Sequence, residues 1–108
     1  MHVIVIDCNV ARHKIHKNVL TMLNVPRFEI NKSIDVESIS ELKTDILIIH
    51  KNNDEFSQIE SESNFGKIRI FFSDGYHTDF KKDDYNYYVP FDDIENILSK
   101  IMLRKKKL

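Results

Sequence analysis

The chain opens with MHVIVIDCN (residues 1–9), in which the four β-branched residues 3–6 form an unbroken apolar run. A strand that is apolar on both sides is buried on both faces, which is typical of a central strand in a parallel sheet. Asp7 and Cys8 follow directly, at the carboxyl edge of such a sheet, where open α/β folds place their functional sites. The opening stretch therefore predicts a buried first strand and the position of a site.

Length and composition indicate a single domain spanning residues 1–108, since 42% of the residues are hydrophobic and can build a core. The formal net charge of −1 provides no overall basic field that would attract nucleic acid. A single cysteine excludes an internal disulfide and fits a reducing compartment, so we expect a cytoplasmic protein. No apolar run approaches the roughly 20 residues of a membrane span, and we expect no membrane contact.

Hydrophobic periodicity predicts that strands and helices alternate along the rest of the chain. Strands are predicted at residues 27–31, 46–49, 67–72 and 87–89, and helices at 10–24, 35–43 and from 94 onward. The segment 54–65 is weakly helical, and 76–86 holds at most one helical turn. The first helix is expected to bury Ala11, Ile15, Val19, Met22 and Leu23, and the second Val36, Ile39 and Leu42.

This alternation predicts an α/β fold with helices on both faces of a parallel sheet. Right-handed crossovers and five strands favour a flavodoxin-like three-layer sandwich with strand order 2-1-3-4-5 and with shortened helices 3 and 4. The first and third strands are then neighbours. Asp7, Cys8 and His50 are expected to meet at their carboxyl ends, with Ser73 next to them.

Over nearly its whole length the chain resembles the receiver domain of bacterial two-component response regulators. VIVIDCN, followed by a helix that carries Arg12, resembles the first strand and acidic pair of that family. TDILIIHKN resembles the third strand, which ends at the phospho-accepting aspartate, and IRIFFSDG resembles the fourth, which ends at a hydroxyl residue. YYVPFDDIENILSKI resembles the last strand, its proline turn and the final helix.

The resemblance implies a phosphorylation site in which three carboxylates, a hydroxyl and a lysine surround magnesium and a phosphoryl group. Asp7 matches one carboxylate and Ser73 the hydroxyl, but Cys8, His50 and Val89 stand at the second acid, the acceptor and the lysine. Magnesium prefers oxygen ligands, and phosphoryl transfer depends on this electrostatic clamp. We therefore expect a degenerate pocket with no catalytic residue, no magnesium and no other metal or cofactor.

The function expected from these residues is that of an atypical receiver-like regulatory domain that acts by protein–protein interaction without aspartyl phosphorylation. Aromatic and apolar residues around the last strand and the final helix are the expected interface, and a homodimer through this face is one form of it. The interface candidates are Tyr76, Phe80, Tyr85, Tyr87, Tyr88 and Ile94. The sequence identifies neither the partner nor the signal, and the domain could stand alone or begin a longer regulator.

Two other functions remain open. A phosphotransfer protein or enzyme would use His50 or Cys8, with Asp7 as base or metal ligand, although no glycine loop is present to bind phosphate. Nucleic acid could bind Lys100 and the basic tail 104–108, whose expected state is a solvated helix end.

Three side-chain placements are also expected at the pocket. A direct contact between Asp7 and His50 would replace the metal, and Cys8 is expected to be a small buried thiol. His13 and His16, three residues apart on the first helix, are expected on the solvated surface rather than sharing a metal.

Overall fold

The computed structural model describes residues 1–38, 41–75, 80–81 and 83–106. In chain order the elements are β1 (His2–Ile6), a 3-10 turn (Val10–Arg12), α1 (His13–Met22), β2 (Arg27–Asn31), β3 (Ile46–His50), α2 (Phe56–Ser61), β4 (Ile68–Phe72), β5 (Phe80–Lys81), β6 (Asn86–Val89), a second 3-10 turn (Phe91–Asp93) and α3 (Ile94–Lys106). The predicted strands 27–31, 46–49, 67–72 and 87–89 are confirmed as β2, β3, β4 and β6.

The sheet has the strand order β2-β1-β3-β4-β6-β5. The five strands β2, β1, β3, β4 and β6 are parallel. This confirms the predicted flavodoxin-like α/β fold and its strand order 2-1-3-4-5, in which the predicted fifth strand corresponds to β6. The two-residue strand β5 pairs antiparallel with β6 at the edge. It lies in the segment 76–86, where the sequence predicted at most one helical turn; residues 76–79 and 82 lie outside the described residues.

Alternate side chains of the central strands build two cores, one on each face of the sheet. Val3 and Val5 of β1 belong to the core under α1 and α3, whereas Ile4 and Ile6 belong to the core under α2. The predicted inward residues of the last helix, Ile94, Ile97, Leu98 and Ile101, are buried. Among the described residues, no helix combines the length and apolar character needed to cross a membrane.

The buried face of α1 differs from the predicted one. Ile15 and Met22 are 47% and 57% exposed, and the buried residues are His16 and Leu20. Ala11 is exposed as well, whereas Val19 and Leu23 are partly buried. The helix is rotated because His16 is directed at a buried carboxylate at the sheet edge, a polar contact that apolar spacing does not reveal.

The predicted helix at 35–43 is wrong for the described residues, which form a turn at 36–37 and an extended segment at 41–43. The Asp35 carboxylate accepts the Glu37 N–H at 3.1 Å, and the Asp35 carbonyl accepts the Ser38 N–H at 3.3 Å. These bonds close a single turn, as aspartate side chains do when they compete with a helix. Val36 is buried as predicted, and Ile39 lies outside the described residues.

Candidate functional site

The carboxyl ends of β1, β3 and β4 meet at one edge of the sheet. In the parallel register Ile6 lies beside Ile49, and His50 lies beside Phe72. Asp7 and Cys8, which follow β1, are therefore brought together with His50 at the end of β3, as predicted. Cys8 Sγ lies 3.6 Å from His50 Nδ1, and Asp7 Oδ1 lies 3.9 Å from the same nitrogen.

Asp7 is completely buried and forms a two-pronged ion pair with Arg12. Arg12 donates from Nε to Oδ2 and from Nη2 to Oδ1, both at 2.8 Å. The 3-10 turn before α1 brings the guanidinium back over the sheet edge, and Asn9 caps this turn by accepting the Ala11 N–H at 3.0 Å. Both oxygens of the carboxylate are thus bound to a permanent cation of the same chain.

His16 and the backbone complete the surroundings of the Asp7 carboxylate. His16 Nε2 donates to Oδ2 at 2.8 Å, and the Asn9 N–H donates to Oδ1 at 2.9 Å. Burial alone would raise the pKa of Asp7, but the hydrogen bonds from His16, Arg12 and Asn9 keep that pKa well below its usual range. The carboxylate is therefore ionised at neutral pH.

The two histidines of the first helix do not lie as the sequence suggested. His16 is buried, with its ring packed edge-on against Phe72 and Phe91 at 5.5 Å, so its predicted place on the solvated surface is wrong. His13 is partly buried, and its Nε2 donates to the Asp7 carbonyl at 2.8 Å. Both rings are thus directed at Asp7, where each serves as a hydrogen-bond donor.

His50 is held as a neutral imidazole. Arg12 Nη2 donates to His50 Nδ1 at 3.1 Å, and since a guanidinium only donates, Nδ1 carries no proton. Burial, followed by the positive charge of Arg12, lowers the pKa of His50. The expected direct contact with Asp7 is instead mediated by Arg12, because the 3.9 Å between the two side chains exceeds hydrogen-bond length.

Cys8 and Ser73 have other partners. Cys8 is only partly buried, contrary to the expectation of a buried thiol, and its N–H donates to Asn53 Oδ1 at 2.8 Å. Ser73 is buried at the end of β4, where its Oγ accepts the Gly75 N–H at 3.0 Å and closes the predicted turn. Val89, which precedes Pro90 at the end of β6, is fully buried in the core.

One more charge lies beside Arg12 on the solvent side. Asp74 is well exposed, and its Oδ2 lies 3.7 Å from Arg12 Nη1. Sequence reasoning did not give Arg12, His16 or Asn53 a role in this pocket. For Arg12 and His16 a signal was available: a spacing of four residues places both on one helical face, directly after the acidic residue.

The predicted interface residues divide between core and surface. Tyr87, Tyr88 and Ile94 are buried, and the two hydroxyls are engaged, because Tyr87 accepts a hydrogen bond from Arg104 and Tyr88 donates one to Glu60. Tyr85 is 63% exposed. Tyr76 and the side chain of Phe80 lie outside the described residues. The interface thus stays a prediction, which depends on Tyr85 among the described side chains.

No family model, curated protein or solved structure matches this chain. The feature that dominates the candidate site is a buried aspartate whose charge is already neutralised by an arginine five residues away.

Proposed function

We propose that this chain is an atypical receiver-like regulatory domain, which works by protein–protein contact and does not take up a phosphoryl group on an aspartate. The observation that carries the proposal is the two-pronged bond between Arg12 and the buried Asp7. Magnesium would have to coordinate this carboxylate, yet both of its oxygens already accept hydrogen bonds from Arg12, and a metal that prefers oxygen ligands gains little from the neighbouring sulfur and imidazole in displacing it. The guanidinium thus supplies the positive charge that magnesium would otherwise bring to Asp7.

The remaining pocket residues support the same function. His50 replaces the acceptor carboxylate, and its Nδ1 is occupied by the hydrogen bond from Arg12. The Ser73 hydroxyl is engaged in its own turn, and Val89 offers no charge to a phosphoryl oxygen. Phosphoryl transfer needs preorganised positive charge around the transferred group, and here the arginine charge is already balanced by Asp7.

The contact surface we propose lies around the start of β6 and the end of α3. Tyr85 immediately precedes β6 and Leu103 lies near the end of α3, and both side chains are more than half exposed. The hydrogen bond from Arg104 to the Tyr87 hydroxyl joins these two elements. Exposed aromatic and aliphatic side chains are enriched where proteins associate, and a second copy of the chain is the occupant we propose. The free thiol of Cys8 fits a cytoplasmic setting.

A phosphodonor experiment tests the first half of the proposal. The chain is incubated with acetyl phosphate and Mg²⁺, and its intact mass is read at neutral pH, which preserves phosphohistidine. We expect no added phosphoryl group. The matched control carries Cys8→Asp, His50→Asp and Arg12→Met. These substitutions place two more carboxylates beside Asp7 and remove the arginine that binds it. A phosphoryl adduct on the unsubstituted chain that disappears in His50→Ala or Cys8→Ala would instead support phosphotransfer.

Sedimentation at increasing protein concentration tests the second half. We expect self-association that is weakened by Tyr85→Ser but not by Ile15→Ser, because Ile15 is an exposed apolar residue on a different element, α1. A chain that stays monomeric throughout, or loses association equally in both variants, would contradict the proposed surface.

A further inference from the structure

The three side chains Asp7, Cys8 and His50 present a carboxylate oxygen, a sulfur and an imidazole nitrogen that all lie within 4.8 Å of one another. In a tetrahedral zinc centre, bonds of about 2.3 Å to sulfur and about 2.0 Å to nitrogen put these two atoms about 3.5 Å apart. The Cys8 Sγ to His50 Nδ1 distance is 3.6 Å, and Asp7 Oδ1 lies 3.9 Å from that nitrogen. Small side-chain movements would give a common centre to all three.

The donor set selects a class of metal. One thiolate, one imidazole and one carboxylate suit Zn²⁺ and related borderline-soft ions, whereas Mg²⁺ and Ca²⁺ require mostly oxygen ligands. His50 Nδ1 carries no proton, since it accepts the hydrogen bond from Arg12, so its lone pair is available once Arg12 moves. Cys8 is partly exposed, which gives an ion a route from solvent to the sulfur.

The groups behind these ligands hold them in place. His16 donates to Asp7 Oδ2 at 2.8 Å, which leaves Oδ1 on the side of His50. Asn53 accepts the Cys8 N–H at 2.8 Å and so fixes the backbone of the residue that carries the thiol. Outer hydrogen bonds of this kind orient metal ligands and raise the affinity of a site.

Arg12 is the resident cation that a metal must displace, and the structure offers it a second partner. Its Nη1 already lies 3.7 Å from the exposed Asp74 carboxylate on the solvent side. Rotation of the guanidinium toward Asp74 would keep the arginine paired with an acid and would release Asp7 Oδ1 and His50 Nδ1 together. The pocket thus has one acid for the arginine and another for the metal.

We propose that Asp7, Cys8 and His50 form a binding site for Zn²⁺ or a similar thiophilic divalent ion, which enters as Arg12 turns to Asp74. The Cys8 thiol gives its proton to solvent as the sulfur–metal bond forms, and bonds from the ion to Asp7 Oδ1 and His50 Nδ1 replace water molecules of its hydration shell. The thiolate and the carboxylate balance the charge of the ion, and water takes the fourth position. This inference goes beyond the proposed function and does not depend on it.

Cobalt titration of the reduced chain tests the proposal, because Co²⁺ reports its ligands by absorbance. We expect a near-ultraviolet charge-transfer band from thiolate to cobalt with visible bands of a tetrahedral ion, and Zn²⁺ should bleach both. Cys8→Ser should lose the charge-transfer band. Arg12→Met should bind roughly ten-fold more tightly or better, since about 1.4 kcal/mol corresponds to a factor of ten and two charge-assisted hydrogen bonds no longer compete. The gain should be seen where circular dichroism shows that Arg12→Met is folded, because unfolded chains also bind metal through Cys and His.

Two variants and one chemical readout complete the test. Lys14→Met and Lys17→Met, which each remove an exposed cation from the same helix, should leave cobalt affinity unchanged. Zn²⁺ should protect the Cys8 thiol from alkylation. A charge-transfer band that survives Cys8→Ser would overturn the site. So would the absence of any new absorbance band when the wild-type chain is titrated to millimolar cobalt. Binding by Arg12→Met alone would also overturn it, because Arg12 would then be fixed rather than displaceable.

Discussion

Replacing Arg12 by Met should destabilise the domain strongly, because it leaves the Asp7 carboxylate buried without its main counter-charge. Asp7 is 0% exposed and the Arg12 side chain is 12% exposed, so solvent replaces little of what is lost. Removing one partner of a buried ion pair costs about 3–5 kcal/mol. His16 and the Asn9 N–H still donate to the carboxylate, and we therefore expect the lower end, about 3 kcal/mol.

Urea unfolding followed by circular dichroism measures this loss. A domain of this size loses about 4–8 °C in Tm per kcal/mol, so the melting temperature in a thermal scan should fall by about 12–24 °C. The matched control is Lys14→Met, which removes an exposed charge two residues along the chain and should change the free energy of unfolding by less than about 0.5 kcal/mol.

A double-mutant cycle with Asp7→Asn separates the ion pair from the packing of the arginine stem. The double variant should be more stable than the sum of the two single losses predicts, with a coupling energy of at least about 1.5 kcal/mol. Additive losses, or an Arg12→Met variant as stable as Lys14→Met, would refute the reasoning, because Arg12 would then contribute no more than a surface cation.

Three further outcomes follow from buried groups. Folding lowers the pKa of Asp7, so the ionised carboxylate stabilises the folded state fully at pH values above its unfolded pKa of about 3.9. This stabilisation is lost as the pH falls toward the folded pKa. The free energy of unfolding of Asp7→Asn should therefore depend less on pH below about 5 than that of the wild type. Gly66 has φ +83°, and a Cβ there would lie 2.8 Å from Leu47 Cβ. Gly66→Ala should therefore lower the free energy of unfolding by more than about 1 kcal/mol, whereas Gly75→Ala should not. Arg69 is buried and donates to the carbonyls that end α2, and Arg69→Met should cost roughly 3 kcal/mol by the same urea assay, a loss that Arg69→Lys should not recover.

The strands could be predicted from the sequence because their signal is local. Runs such as 3–6 and 46–49 are apolar on both sides, which only a central parallel strand accommodates, and their alternation with helices fixed the order of the sheet. The meeting of Asp7 with His50 followed from the same argument, since both end neighbouring parallel strands. The order of the strands thus determines which residues lie at the same edge of the sheet.

What was not predicted depends on polar contacts, which apolar periodicity does not register. The orientation of α1 is decided by the bond from His16 to Asp7, and periodicity counted the apolar Ile15 and Met22 as core instead. The role of Arg12 was missed for a related reason: an arginine near a helix start looks like surface until the turn before it is known to bend back over the sheet. Apolar spacing carries no information about where a buried charge finds its partner.

The prediction of a helix at 35–43 was wrong because side-chain hydrogen bonds to the local backbone compete with a short amphipathic helix. Asp35 closes one turn through its own carboxylate, and the chain then extends so that Leu42 bridges to Phe65 beside the sheet. Nothing in the spacing of Val36 and Leu42 distinguishes these two outcomes, since both bury the same side chains at least in part.

The central claim is that the Arg12 guanidinium is held between Asp7 and His50 in the metal-free chain, and NMR of arginine side chains measures this directly. A guanidinium held by two oxygens and a ring nitrogen cannot rotate freely about its Nε–Cζ bond, so Arg12 should give separate, slowly exchanging Nη–H resonances. The exposed Arg27 in the same sample provides the freely rotating reference, with one averaged signal. An averaged signal from Arg12 that matches Arg27 and is unchanged by Asp7→Asn would contradict the account.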